Sequence, residues 1–225
     1  MTDAMITKDT TDLATTEYNA AEGYEGLDAG DYAAPFVKLV QGSSDEAKGD
    51  DIDVAAGQFL SSTGDVYDEI RLVVVHQHKE RDYYDSGTEE SCRSRDTILP
   101  SPEIKSPMAD TCEECPKKDW VNQKRECADV FAVTAVDMES MTPFKISFKR
   151  TSYAPFRGFL GNMASKRLPI YGASVKLTSR MKQKGKNTYH VCVFEGYEKI
   201  EDADTLEFLR NLYLSLAPKS EDSPF

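Results

Sequence analysis

Cys112-Glu-Glu-Cys115-Pro is a C-x2-C knuckle, with Cys92 twenty residues before it and Cys127 twelve after it. Two sulfurs at that spacing can reach one metal ion, and four thiolates form the tetrahedral all-cysteine set that structural zinc prefers. The expected cofactor is therefore structural Zn2+, held by Cys92, Cys112, Cys115 and Cys127. With four sulfurs and no open position, such an ion does no catalysis. The residues around the knuckle are polar and too poor in apolar side chains to fold alone, so metal binding would supply folding free energy. The alternatives are reduced surface thiols or a redox pair at Cys112 and Cys115. A redox pair belongs beside a βαβ unit, and the sequence has none. His76 and His78 could replace Cys92 but sit at the end of an apolar strand, where a satisfied histidine is the simpler reading. Cys192 lies in an apolar strand and reads as core.

The second chemistry-bearing feature is charge. The 225 residues carry a net charge of −12, which argues against a phosphate-rich partner until the charge is followed along the chain. Met1 to Ile70 holds sixteen Asp/Glu against three Lys. Met141 to Phe194 holds eleven Lys/Arg and no acid. Segregation on that scale points to a cationic surface with a job.

Period-two alternation decides which way those cations face. Over Phe144 to Lys149, Phe144, Ile146 and Phe148 share one face, and Lys145, Ser147 and Lys149 the other. Over Ser174 to Lys182, Val175, Leu177 and Met181 point inward, while Lys176, Thr178, Arg180 and Lys182 point outward. A turn at Lys184-Gly185-Lys186-Asn187 adds Lys184 and Lys186, and Arg150 and Arg157 flank the start of a helix. Such a surface can follow a single-strand backbone while aromatic side chains stack on bases. Tyr83, Tyr84, Tyr153, Tyr171 and Tyr189 are the aromatic candidates, whereas Phe156 and Phe159 fall on a helical stripe and read as core. The plain alternative for any one of these lysines is a solvated strand face. No helix-turn-helix, basic zipper or two-Cys two-His finger is present, so base-specific duplex reading is not expected.

These groups need a frame. Pro35 to Val40 is the first ordered segment, and Gly57 to Tyr67 reads as a hairpin turning at Thr63-Gly64-Asp65. Ile70 to His76 is a strand apolar on both faces. Val130 to Val136 and Pro143 to Lys149 are strands separated by Met138-Glu139-Ser140. Ser152 can cap a helix over Tyr153 to Arg167, with the stripe Tyr153, Phe156, Phe159, Leu160 and Met163. Strands follow at Ala173 to Lys182 and Thr188 to Glu195, then a helix over Asp204 to Leu216 with Leu206, Leu209, Leu212, Tyr213 and Leu216 on its buried face. The order strand, strand, strand, helix, strand, strand predicts a mainly β (α+β) fold, an OB-fold-like Greek-key barrel. Residues 1–30 read as a flexible acidic arm, 31–216 as the core, 79–127 as the zinc-binding insertion, and 217–225 as an acidic tail after the last helix. The polar start lacks a signal-like pattern and no apolar run reaches membrane length, so a cytoplasmic protein with no membrane partner is expected.

The last residues, Glu221-Asp222-Ser223-Pro224-Phe225, resemble the interaction tip of bacterial single-stranded-DNA-binding proteins. The resemblance implies that Glu221, Asp222, Pro224 and Phe225 dock on replication or recombination proteins. In layout the whole chain is similar to phage-encoded single-stranded-DNA-binding proteins, some of which carry a structural zinc. Pro143-Phe-Lys-Ile-Ser-Phe-Lys-Arg-Thr-Ser152, with the knuckle upstream, also looks like an uncharacterised family of tailed phages. The body departs from the bacterial proteins in its cysteine insertion and its length.

The function expected is weakly sequence-specific single-stranded DNA binding in phage replication, recombination or repair, in the host cytoplasm, with possible homo-oligomers. Recombination mediator, annealing protein and anti-defence interaction protein are the alternatives. Enzyme activity is not expected. Phosphoryl transfer needs clustered carboxylates for metal ions, Asp50, Asp51 and Asp53 fall in a loop, and no P-loop, G-x-S-x-G or H-E-x-x-H is present.

Overall fold

The computed structural model describes residues 35–49, 52–85, 87–104, 107–121 and 124–217, all within one unit, Ala34–Phe225. The expected arm, 1–30, and the tail beyond Ala217 lie outside the described residues. In chain order the strands are β1 (Phe36–Leu39), β2 (Phe59–Ser61), β3 (Val66–Tyr67), β4 (Ile70–Tyr84), β5 (Ser91–Ser94), β6 (Trp120–Val121), β7 (Lys124–Arg125), β8 (Ala128–Asp137) and β9 (Pro143–Lys149). A 3-10 turn at Arg150–Ser152 leads into α1 (Tyr153–Ser165), followed by β10 (Ala173–Lys184), β11 (Asn187–Lys199) and α2 (Ala203–Leu216).

Nine strands form one sheet in the order β11-β10-β4-β8-β9-β1-β2-β3, with β5 added beside β4. Every pairing in it is antiparallel except β1 on β9, where Val37 lies opposite Ile146. The sheet curls into a half-barrel. One edge, β11, is met just after β1 by Gln41, whose side chain bonds the backbone of His190 in β11. Gly57 stands at the same closure with φ +98°, and a Cβ there would meet the His190 ring at 2.5 Å.

The curl exists because β9 and β4 bury their apolar faces as the sequence pattern dictates. β9 alternates without a break, with Phe144, Ile146 and Phe148 buried. α1 lays Phe156, Phe159 and Met163 into the hollow, making the expected stripe. Ring stacking then links Phe148 to Phe156 at 4.7 Å and Phe156 to Phe159 at 5.6 Å. Each fully buried phenylalanine contributes roughly 1.5–3 kcal/mol relative to exposure. Pro155 sits in the first turn, where its missing N–H costs nothing.

Strand β4 is apolar on both faces because both are covered. Leu72 and Val74 join the α1 core, and Val73 and Val75 pack under Leu209 of α2. Asp202 caps α2 by accepting the Thr205 N–H at 2.8 Å.

Three local expectations need correction. Ser152 makes no side-chain cap on α1; its Oγ accepts instead from the Cys192 N–H at 3.4 Å. Met181 is 64% exposed, because β10 leaves β4 after Leu177 and only β11 accompanies it further. Leu216 is also exposed, because α2 rests on a narrow patch of sheet and only Leu209 is fully covered. Strand β4 runs on to Tyr84, and its ladder with β8 continues as far as Asp82 opposite Ala128. The expected insertion therefore starts as a continuation of the barrel strand.

Candidate nucleic-acid interface

The outer face of β9 and the neighbouring β1 form the floor of a groove of about 810 Å³. Parallel pairing sets Phe36 beside Lys145 on this face, and alternation turns Lys38, Ser147 and Lys149 the same way. Arg93, from β5, lies on the groove lining, as do Thr188 and Tyr189 from β11. Arg150, at the end of β9, takes a left-handed φ of 51°. For a residue with a Cβ this conformation costs on the order of 1–3 kcal/mol. It is held there by the strand on one side and the bonded 3-10 turn on the other, where the Tyr153 N–H reaches the Arg150 carbonyl.

A second crevice of about 280 Å³ opens between α1 and β11, lined by Arg180, Lys182, Asn162, Phe194 and Tyr197 among others. It shares the buried Cys192 with the groove. Burial pushes the Cys192 thiol up to about 11, which marks it as the core residue expected from its strand. Lys184 and Lys186 are exposed at the tip of the β10–β11 hairpin, outside both linings, and Arg157 is exposed on α1.

The structure thus gathers Lys145, Lys149, Arg150 and Tyr189 at the groove, and Arg180 and Lys182 at the crevice. It does not gather the rest of the expected set. Lys176 pairs with Glu69 at 3.1 Å and stands opposite Glu195. Tyr153 stacks on Phe131 at 4.6 Å, at the edge of the core. Tyr171 packs on Tyr213 of α2 at 5.4 Å and belongs to a different crevice, with His76 and Gln77. Tyr83 is buried beneath Lys117, while Tyr84 is exposed outside the groove. Lys149 itself is shared with Asp82 at 2.7 Å. Glu221, Asp222, Pro224 and Phe225 lie outside the described residues.

Three groove residues escaped the sequence reading. Phe36, half exposed, and Lys38 sit in a run read only as the first strand, although Val37 facing the core assigns both neighbours to the outer face. Lys38 is partly occupied by an ion pair to Glu46. Arg93 carries no local signal; only the pairing of β5 with β4 brings it to the groove.

The four cysteines meet elsewhere. Cys92, Cys112, Cys115 and Cys127 all line one chamber of about 20 Å³, together with Arg81, Arg93 and Lys118. Cys92 comes from β5, where it stands opposite Tyr83. The knuckle is tied in by the Cys112 N–H to the Ile98 carbonyl and by Arg81 Nη1 to the Cys112 carbonyl at 3.1 Å. The Cys127 N–H bonds the Lys117 carbonyl. Burial, and then the nearby Cys115 and Cys112, push the Cys92 thiol up, while a backbone bond at Met108 opposes them. Among the described residues, no three His, Cys, Asp or Glu side chains stand close enough, as placed, to hold a metal ion. His76 and His78 lie away from the chamber, and His78 Nε2 is 3.0 Å from Glu80.

Fold and site together define a mainly β protein, a curled half-barrel sheet with two helices and a cationic outer groove. The chain belongs to the Pam3 phage gp34-like protein family, whose model matches residues 4–221. That places it among phage proteins, as the sequence resemblance implied in its coarser form. Comparison with curated proteins and with solved structures gave no match. No helix among the described residues is long and apolar enough to cross a membrane.

Proposed function

We propose that the protein binds single-stranded DNA along the groove on β9 and β1, without catalysis and with weak sequence preference. The observation that carries this reading is the place of the groove. It lies on the third barrel strand, between the β4–β8 connection, which supplies Arg93, and the β10–β11 hairpin, which supplies Tyr189. OB-folds carry oligonucleotides on the face of their second and third strands, flanked by those same two loops.

The OB-like assignment has its own support. Taken alone, β4, β8, β9, α1, β10 and β11 follow the order strand, strand, strand, helix, strand, strand, and they lie in the sheet as β11-β10-β4-β8-β9. The departure is at the seam, where β1 takes the parallel place beside β9 and the chain just after it reaches β11 through the Gln41 side chain. Lys145, Arg150, Arg180, Lys182, Lys184 and Lys186 form no ion pair among the described residues, which leaves them for phosphates. Bases would stack on Phe36 and Tyr189. Work on phage DNA in the host cytoplasm, and recruitment of replication or recombination proteins through Glu221, Asp222, Pro224 and Phe225, complete the proposal.

The test is a fluorescence anisotropy titration of the full chain with a labelled oligo-dT and with a matched duplex. Tighter binding to the single strand is expected at low salt. Absence of binding there, or equal affinity for the duplex, would reject the reading.

A further inference from the structure

We propose that Cys92, Cys112, Cys115 and Cys127 close on one zinc-class ion as a tetrathiolate, and that this ion fixes Arg93 in the wall of the groove. The convergence itself is the first observation. Four sulfurs from a strand, a knuckle and the bend just before a second strand line a single chamber, although Cys92 and Cys127 are far apart in sequence. The size is the second. A chamber of about 20 Å³ is room for one small ion or water.

The lining is the third. A tetrathiolate of a divalent ion carries two negative charges, and the cations on the lining are Arg81, Arg93 and Lys118, each of which also pairs with an acid, Asp129, Glu80 and Glu113. Among the described residues Arg81 Nε is buried without a hydrogen-bond partner, at an ion-pair distance of 3.8 Å from Asp129, on the lining of the same chamber as the four sulfurs. Soft thiolate donors in tetrahedral number select zinc over magnesium or calcium. Zinc–sulfur bonds are about 2.3 Å long, so the sulfurs must turn inward from their present placement. Binding one Zn2+ to four thiols releases four protons and leaves the complex at charge −2.

The link to the groove runs through β5. Arg93 directly follows Cys92 and lines both the chamber and the groove. Its Nε and Nη2 both donate to Glu80, a carboxylate only 5% exposed, at 3.1 and 2.5 Å. Among the described residues, the four-residue β5 pairs with β4 and no other strand, and the Ser101 N–H bonds the Arg93 carbonyl at 2.8 Å. A metal bond at Cys92 would anchor the strand from its other side, and Arg93 with it. This second half rests on the single-strand reading above; the metal centre does not.

The full chain, purified under reducing conditions without chelator, is analysed for metal and for zinc released by a mercurial reagent. About one zinc per chain is expected, as for other closed four-cysteine sites, and Co2+ substitution should give the visible bands of tetrahedral thiolate. Less than a tenth of an equivalent, both as purified and after zinc addition, overturns the centre. A Cys115→Ser variant that keeps its far-ultraviolet spectrum should lose those bands; retention of them would also overturn it.

Zinc-loaded and chelated protein are then titrated with oligo-dT. The loaded form should bind several-fold more tightly, and Arg93→Ala should remove the difference. A metal-loaded protein with unchanged affinity overturns the link. If neither form binds DNA, the single-strand reading fails and the link with it, while the metal count still judges the centre.

Discussion

Gln41 and His190, 149 residues apart, make a two-point bond: the Gln41 Oε1 accepts the His190 N–H at 2.9 Å, and its Nε2 donates to the His190 carbonyl at 3.0 Å. One side chain thereby does the work of a backbone rung between β1 and β11. Gln41→Ala should cost about 1–3 kcal/mol in urea unfolding, because it strands two part-buried backbone groups. It should also weaken oligo-dT binding, since Gln41 and Tyr189 both line the groove. A stability unchanged within error would show that another contact closes the half-barrel.

Gly57→Ala tests the same closure from the other side. The substitution meets both a left-handed φ and the His190 ring, so it should destabilise by more than ~1 kcal/mol. Gly64, with positive φ but nothing within 4 Å, is the control, where only the backbone cost applies. Thermal melts of the two variants read the difference directly.

Charge in the groove should be unequal in its effect. Lys145→Glu and Arg150→Glu are each expected to lower single-strand affinity about tenfold at low salt and to reduce the slope of log K against log salt by about 0.7. Lys176→Gln should do neither, because Glu69 already occupies that ammonium. If all three variants behave alike, general charge governs binding and the groove does not.

Phe36→Ala should lose about 1–3 kcal/mol of oligonucleotide binding, the range for one stacked base. Tyr171→Phe should leave binding unchanged, since Tyr171 packs with α2. Quenching of labelled oligonucleotides by the two variants separates these outcomes.

Burial, and then the like charge of His78, hold the His76 imidazole below its ordinary 6.5. The unfolded chain therefore takes up that proton more readily than the folded one, and stability is lost as pH falls through the unfolded value of about 6.5. Urea midpoints measured at about pH 7.5 and 5.5 should fall with pH, and His76→Gln should remove part of the fall. An identical fall in the variant would assign it to other groups.

The alternation of β9 was legible because one face of that strand is core and the other solvent, so the side-chain period reads directly. The stripe of α1 was legible for the same reason. β1 on β9 was not, since a parallel pairing between residues more than a hundred apart leaves no local trace. The stretch from Met141 to Phe194 is free of acids in sequence but not in space. β4 and the turn before it supply Asp82 to Lys149 and Glu69 to Lys176, and β11 beyond that stretch places Glu195 opposite Lys176. Arg93 was invisible because its role depends on where β5 docks. The cysteines were legible as a group because metal-ligand spacing is a local pattern, whereas the neighbouring arginines are placed only by the fold.

The ladder between β4 and β8 ends at Asp82 opposite Ala128, and the chain from Tyr83 to Cys127 connects those two residues. A short turn joining those two residues would close an ordinary hairpin and leave the barrel strands intact. The cysteine module is thus an excursion from a hairpin end, and the rungs of the β4–β8 ladder do not run through it. Its loss would register at Glu80, a buried carboxylate deprived of Arg93, and at Arg81, whose Nη1 would lose the Cys112 carbonyl.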